Sequence, residues 1–245
     1  MDQELAMSKV GRAVGLIVLS CLFATGCGVE RVQADVRTQA KTRLEIVLTQ
    51  MNEASAKFQG AQADVRKDVY TKIVDDHDVQ SGLIYFLRTP SGTQMGTKMT
   101  TGAHQVVEYK DGKVRLFNPG TNHVDEVSAS GASKGRVETF LTLGFGGSGR
   151  ELAKAWTIKD DGPEQMMDGG KSVEVEKLDL VSKDEDSRKL FSHVTIWVDP
   201  VRGVSLKQVF YSPSGDTQTA LYSNVRLVPK VDVGQFAIKC KGACS

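Results

Sequence analysis

Four cysteines, four histidines and a formal net charge of +1 exclude several kinds of chemistry in this chain of 245 residues. Basic and acidic side chains number 31 and 30, and no basic block interleaved with aromatics occurs, so the electrostatic footprint of a nucleic-acid binder is missing. His77, His104, His123 and His193 are scattered, without an H-E-x-x-H pattern or a close His/Cys/Asp cluster, and "DDHD" at 75–78 reads as a solvated turn. No G-x-S-x-G elbow marks a nucleophilic serine, and a triad assembled only in space is not readable from one sequence. "SGD" at 214–216 reads as hairpin-turn residues, and "KDEDSRK" at 183–189 as a solvated loop of both charge signs. These absences leave no catalytic residue, metal or cofactor to assign, and the expectation is a protein that is not an enzyme. The apolar run "AVGLIVLSCLFA" is about twelve residues, short of the roughly twenty that span a bilayer.

That run has a different meaning. Lys9 and Arg12 precede it, and small residues follow, which is the layout of an export signal. Ala24, Thr25, Gly26 and Cys27 resemble a bacterial lipobox, whose cysteine is acylated and becomes the new N-terminus. The alternative is an ordinary secretory signal cut nearby. Gly28 stands where some bacteria place the Asp that retains a lipoprotein in the inner membrane, so the expected destination is the outer membrane, lipid-anchored and facing the periplasm. Residues 1–27 are therefore read as a lipoprotein signal peptide with its lipobox cysteine, and 28–245 as a single domain. Cys240 and Cys244 remain as a close pair in an oxidising compartment; a small disulfide loop fits, and a metal pair would lack a second pair of ligands nearby.

From Val36 to Phe58 apolar residues recur in steps of three and four, the pattern of a long amphipathic helix. After Gly60 the period becomes two, through "ADVRKDVYTKI" and then "VQSGLIYFLRT". "KDGK" separates two β-rich segments with an Asp-Gly hairpin signal, and "NPGTN", "DPVRG" and "SPSGD" supply further turns. No helix of 10–15 residues separates consecutive strands, so parallel winding is not expected.

Between the two strand groups, "FLTLGFGGSGRELAKAW" places Gly144, Gly146 and Gly149 in the spacing G-x-G-x-x-G. A dinucleotide site needs a buried strand before this motif and a βαβ unit around it. Here a short apolar helix through Val137, Phe140, Leu141 and Leu143 precedes it, and Ser148 with Glu151 has capping-box spacing for a following helix. The glycines, with Gly147, read as a hinge or tightly turning joint between two helices.

The order of elements resembles the LolA/LolB lipoprotein-carrier family. The likeness rests on "SGLIYFLRTP" as a core strand, "YKDGKVRLFNPGTNHV" as a hairpin, "FLTLGFGGSGREL" as a lid, and the closing strands of "WVDPVRGVSLKQVFYSPSGDTQTALYSNVRLVPKVDVGQFAIK", over about residues 36–239. It implies an α+β fold: an incomplete antiparallel β-barrel, or half-barrel, with a long N-terminal helix and a short helical lid. It implies acyl chains of lipoproteins, or phospholipid, held between barrel and lid. Arg88 in "LRTP" is the nearest counterpart of the basic residue that contacts the lid in the soluble carrier. The receptor's exposed apolar loop has no equivalent in "PSGT" after Thr89.

The apolar residues expected to line such a site are Tyr85, Val107, Tyr109, Leu116, Leu141, Phe145, Ile196, Val209 and Tyr211. Each CH₂ buried there contributes about 0.8 kcal/mol. The expected partners are acylated cargo, the membrane through the anchor, and a lipoprotein-sorting or transporter component. Rival functions are an envelope sensor that uses the same fold and a lipid-ester hydrolase. If the lipobox reading holds, Cys27→Ser leaves an unacylated precursor; radioactive palmitate that still labels this variant would refute it.

Overall fold

The computed structural model describes residues 27–128, 137–141 and 143–242, with side chains from Thr42 onward. The export segment, the side chain of Cys27, and Cys244 lie outside the described residues. The chain divides into two units, Met1–Arg43 and Leu44–Ser245. Helix α1, Cys27–Lys57, begins in the first and ends in the second.

Within the second unit, Leu44, Val47, Leu48 and Met51 fall on one stripe of α1. Val47 and Met51 are buried, packed with Leu178, Leu180, Val194, Ile196 and Val198 of two adjacent strands. Those strands belong to an antiparallel sheet of eleven, in the order β6-β5-β4-β3-β2-β1-β11-β10-β9-β8-β7. The strands are β1 (Gly60–Thr71), β2 (Asp76–Thr89), β3 (Gly92–Thr101), β4 (Val106–Lys110), β5 (Lys113–Asn118), β6 (His123–Ser128), β7 (Trp156–Asp168), β8 (Lys171–Ser182), β9 (His193–Asp199), β10 (Val204–Tyr211) and β11 (Thr217–Leu227). The terminal strands of that order, β6 and β7, are not paired with each other, so the barrel is incomplete. The connection between them holds a helical turn at 137–141 and helix α2, Gly149–Ala155. No helix of the described residues is long and apolar enough to cross a membrane.

Local chemistry explains the turns. Asp111 and Gly112 both have positive φ, +52° and +79°, the conformation that a two-residue hairpin loop requires. Two elements depart from expectation. The charge run at 183–189 forms helix α3, Glu185–Leu190, because Asp184 accepts hydrogen bonds from both the backbone N–H and the hydroxyl of Ser187. "WTIKDDGPEQMMD" forms β7, an edge strand whose register shifts between Asp160 and Gly162. An edge position tolerates the Pro163 that would interrupt an interior strand.

Register fixes the two faces. Ala61 opposes Phe86, Phe86 opposes Met95, and Met95 opposes Tyr109, so these four share a face. On the same face, Val65 opposes Tyr222, Ala220 opposes Gln208, Gln208 opposes Ile196, and Ile196 opposes Leu178. The C-terminal segment covers part of the other face: Phe236 is buried against Tyr85, with ring centroids 4.7 Å apart. Ile238 N–H donates to Glu108 at 3.1 Å in the same region.

Leu178 is fully buried beneath α1. Leu178→Ala should lower stability by about 2–5 kcal/mol in urea unfolding. A loss below about 1 kcal/mol would contradict this packing.

Candidate functional site

The segment of residues 137–141 and 143–155 lies on the sheet face that carries Phe86, Tyr222 and Ile196. Leu143 and Phe145 are buried. Phe140 meets Trp156 and Phe191 edge-on, with centroids 5.5 and 5.6 Å apart. Phe145 enters deepest: its ring stacks on Phe86 at 4.1 Å and meets Tyr222 edge-on at 4.9 Å. Small side chains make the room, because Ala61 and Ala63 of β1 belong to the same cluster.

The backbone here is held at few points. Phe145 forms an isolated antiparallel bridge with Val204, through Ser205 N–H to Gly144 O at 2.5 Å and Gly146 N–H to Gly203 O at 3.1 Å. Gln208 Nε2 donates to Leu143 O, and Tyr222 donates to Gln208 Oε1 at 3.2 Å. Burial pushes the Tyr222 hydroxyl pKa up, so it remains a donor. At the far side Tyr109 donates to Glu138 at 3.0 Å, and burial followed by that bond pushes its pKa up to about 12.

One charged side chain joins this segment to α1 and the sheet. Arg88 on β2 donates from Nη2 to Gly146 O at 2.6 Å and from Nη1 to Ser55 O at 2.6 Å. The Ser55 hydroxyl, buried at the end of α1, donates to the same Gly146 carbonyl at 2.7 Å. The Arg88 guanidinium also lies over the Phe58 ring, 5.8 Å from its centroid. Ser55 and Gln208 had not been singled out from the sequence. The signal for Ser55 was a hydroxyl on the apolar stripe of α1, between Met51 and Phe58; nothing in the pattern of β10 marked Gln208.

Of the residues expected to line the site, Val107, Tyr109, Leu116 and Ile196 are on the face covered by this segment, and Phe145 belongs to the segment itself. Tyr85, Val209 and Tyr211 point to the opposite face, where Tyr85 packs on Phe236 and Tyr211 stacks on His193 at 4.1 Å. Strict alternation explains the division: Tyr85 is one residue from Phe86, and Val209 one from Gln208. Leu141 ends the helical turn and is partly buried. Cys240 is disulfide-bonded.

The three glycines of the motif each lie close against other groups. Gly144, at φ +80°, sits against Ser205 and Gln208; Gly146, at φ +72°, against the Phe58 ring; and Gly149 against the Leu48 backbone. Gly147, between them, is partly buried. Ser148 and Glu151 then form a reciprocal capping box that starts α2.

Two cavities occur in the sheet region, of about 250 Å³ at the end of α1 and about 440 Å³ beside Gly82. Neither is lined by a residue of 137–155. Among the described residues no three His, Cys, Asp or Glu side chains gather as a metal site. Ser192 Oγ lies 3.2 Å from His193 Nδ1 but donates to Tyr211 O at 3.0 Å, and His193 Nε2 is 3.9 Å from Asp179, beyond hydrogen-bond length.

No family model and no curated protein matches the chain. Among solved structures it is similar to MucB, at 13% identity and a TM-score of 0.49, over 81% of this chain and 63% of MucB. The chain thus spans less than two thirds of that protein. A putative outer membrane lipoprotein-sorting protein domain from Vibrio parahaemolyticus matches at 12% identity and a TM-score of 0.41, over 79% and 97% of the two chains. The LolA superfamily protein NE2245 from Nitrosomonas europaea matches at 14% identity and a TM-score of 0.37, again over 79% and 97%. These likenesses assign no residue a role.

Gly146 and Gly170 both have positive φ, but a Cβ at Gly170 would meet nothing, whereas one at Gly146 would strike Phe58. Alanine at either should cost about 1–2 kcal/mol for the backbone, and Gly146→Ala about 1–3 kcal/mol more for the contact. Equal losses in parallel urea titrations would show that Gly146 is not wedged.

Proposed function

We propose that this protein is a non-enzymatic, lipid-anchored lipoprotein of the outer membrane that binds the acyl chains of lipoproteins or lipids, with segment 137–155 as the lid. One observation carries the reading: Phe145 of that segment occupies an apolar trough floored by Ala61, Ala63, Phe86 and Tyr222, and the backbone around it is held by one bridge to β10 and by side-chain bonds from Arg88, Ser55 and Gln208. The family resemblance of the sequence agrees with it.

In the closed form the lid's own side chains occupy the site. Withdrawal of Phe145 gives up about 1.5–3 kcal/mol of apolar burial. A chain segment of about six CH₂ groups entering the trough returns about 5 kcal/mol. Exchange therefore favours cargo once the lid is released. Release requires Gly146 O to leave Arg88 and Ser55, and Leu143 O to leave Gln208. Downstream, the Ser148–Glu151 capping box and the contact of Gly149 with Leu48 hold α2 in place. Movement is thereby confined to the part of the segment before Ser148. Cargo is recognised by chain length and not by a headgroup, because the trough presents carbon atoms almost throughout.

Arg88→Met keeps the length of the side chain and removes its donors. It should weaken closure by about 1–2 kcal/mol, so that a fluorescent fatty-acyl probe enters roughly five- to thirtyfold faster. Native mass spectrometry of the protein taken from cells should show bound lipid or acylated protein. Absence of probe binding in both wild type and Arg88→Met, with circular dichroism intact, would sink the reading.

A further inference from the structure

Residues 143–146 meet the rest of the protein mainly through their carbonyls. Leu143 O accepts from Gln208 Nε2, Gly144 O from Ser205 N–H, and Gly146 O from both Arg88 Nη2 and the Ser55 hydroxyl. Three carbonyls therefore take four donors, supplied by β10, β2 and the last turn of α1. Among the described residues the acceptor on the other side is Gly203 O, which takes the Gly146 N–H. Gln208 presents its amide N–H group because Tyr222 donates to its Oε1. A further donor stands idle. Ser205 Oγ lies against Gly144, fully buried, with no hydrogen-bond partner among the described residues. A buried hydroxyl left bare is costly, and native proteins hold few of them.

We propose that these donors form a binding site for the carbonyl oxygens of ester- or amide-linked acyl chains, and that residues 143–146 imitate such a ligand. Their carbonyls stand in for those of the acyl linkage, and Phe145 stands in for the chain beyond. Phe145 fits that part because it fills the trough over Phe86 and Tyr222 and is adjacent in sequence to both Gly144 and Gly146. An acyl chain has the same order, apolar carbon joined directly to a carbonyl acceptor. When the segment withdraws, Gln208 Nε2, Ser205 N–H, Arg88 and Ser55 lose their partners, and buried donors are not left bare without cost. Plain hydrocarbon would restore the apolar contacts alone, whereas an acylated molecule restores the hydrogen bonds as well. The Ser205 hydroxyl then gains a bond that it lacks in the closed form. Chain length is read by the trough and the linkage by these donors, so the proposal rests on the acyl-binding reading and adds the linkage to it. Two sources carry that linkage, glycerophospholipid and the diacylglyceryl-cysteine of lipoproteins.

The test uses the full chain carrying Cys27→Ser, so that no acyl group of its own competes, and displacement of the fluorescent fatty-acyl probe by two lipids that differ only in linkage. Dioctanoyl phosphatidylcholine has both carbonyls, and its dioctyl ether analogue has the same headgroup and chain length with neither. The ester should bind about tenfold more tightly than the ether. Their ratio is the readout, because fold stability and release of the segment affect both lipids alike. Ser205→Ala removes a hydroxyl that bonds nothing in the closed form, so its urea midpoint should hold or rise, whereas the ratio should fall about two- to tenfold. Arg88→Met should admit both lipids faster and still lower the ratio. An S-dioctanoylglyceryl-cysteine peptide distinguishes the sources: tighter binding than the phospholipid identifies lipoprotein, weaker binding identifies membrane lipid, and both support the carbonyl site while each ester exceeds the ether. A wild-type ratio near one, or a ratio unchanged in both variants, would overturn the proposal and leave acyl binding standing. A probe that binds neither the wild type nor Arg88→Met would remove acyl binding itself, and the carbonyl site with it.

Discussion

The placement of residues 143–146 depends on a shortage of backbone partners along β10. β11 pairs with β10 only from Lys207 to Tyr211, while its later residues continue along β1 as far as Leu227. Residues 203–205 therefore lack a neighbour on that side, and buried backbone groups cannot be left unpaired without cost. Gly144 and Gly146 supply the missing donor and acceptor. Pairing at this edge fixes the direction of the residue between them, and Phe145 is driven onto Phe86 and Tyr222. Left-handed backbone on either side lets the chain enter and leave the bridge within one residue. Pairing, turn geometry and filling of the trough are thus a single arrangement.

Periodicity made the framework legible. The three-and-four steps of α1, the alternation of β1 and β2, and the Asp-Gly hairpin each arise from local chemistry that a single sequence displays. Ser148 and Glu151 announced their capping box in the same way. β7 was not legible because its alternation is interrupted at Gly162 and Pro163, and only its place at the edge makes that tolerable. Helix α3 was hidden by its charges: a run that reads as solvated is also what a short exposed helix needs when Asp184 caps it.

The site was legible to a lesser degree, for reasons that lie in its geometry. Arg88 was singled out through the family resemblance, as the basic residue of "LRTP", and Phe145 as an apolar residue of the glycine-rich segment. Which face each strand residue occupied could not be read in this way, since a shift of one position exchanges the two faces and only long-range pairing sets the register. Tyr85 and Val209 belong to the far face for that reason alone. The glycines illustrate a related ambiguity. A glycine cluster is compatible with mobility, with left-handed backbone, or with close approach of other atoms. At Gly144 and Gly146 the second and third apply together, and at Gly149 the third.

The identity of Arg88 follows from what it must hold. Ser55 O is one of the last carbonyls of α1, where the helix leaves acceptors unsatisfied and the dipole is negative. Gly146 O belongs to the segment that bridges to β10. A planar guanidinium can place separate N–H groups on carbonyls from two elements, whereas an ammonium would act as a point charge between them. The Ser55 hydroxyl, donating to the same Gly146 oxygen, makes that carbonyl reachable only when the end of α1 is in position. The seating of residues 143–146 therefore depends on three elements at once: β2 through Arg88, the last turn of α1 through Ser55, and β10 through its unpaired edge. Displacement of any one removes partners from the other two, so these contacts form a shared set of bonds and not three independent ones.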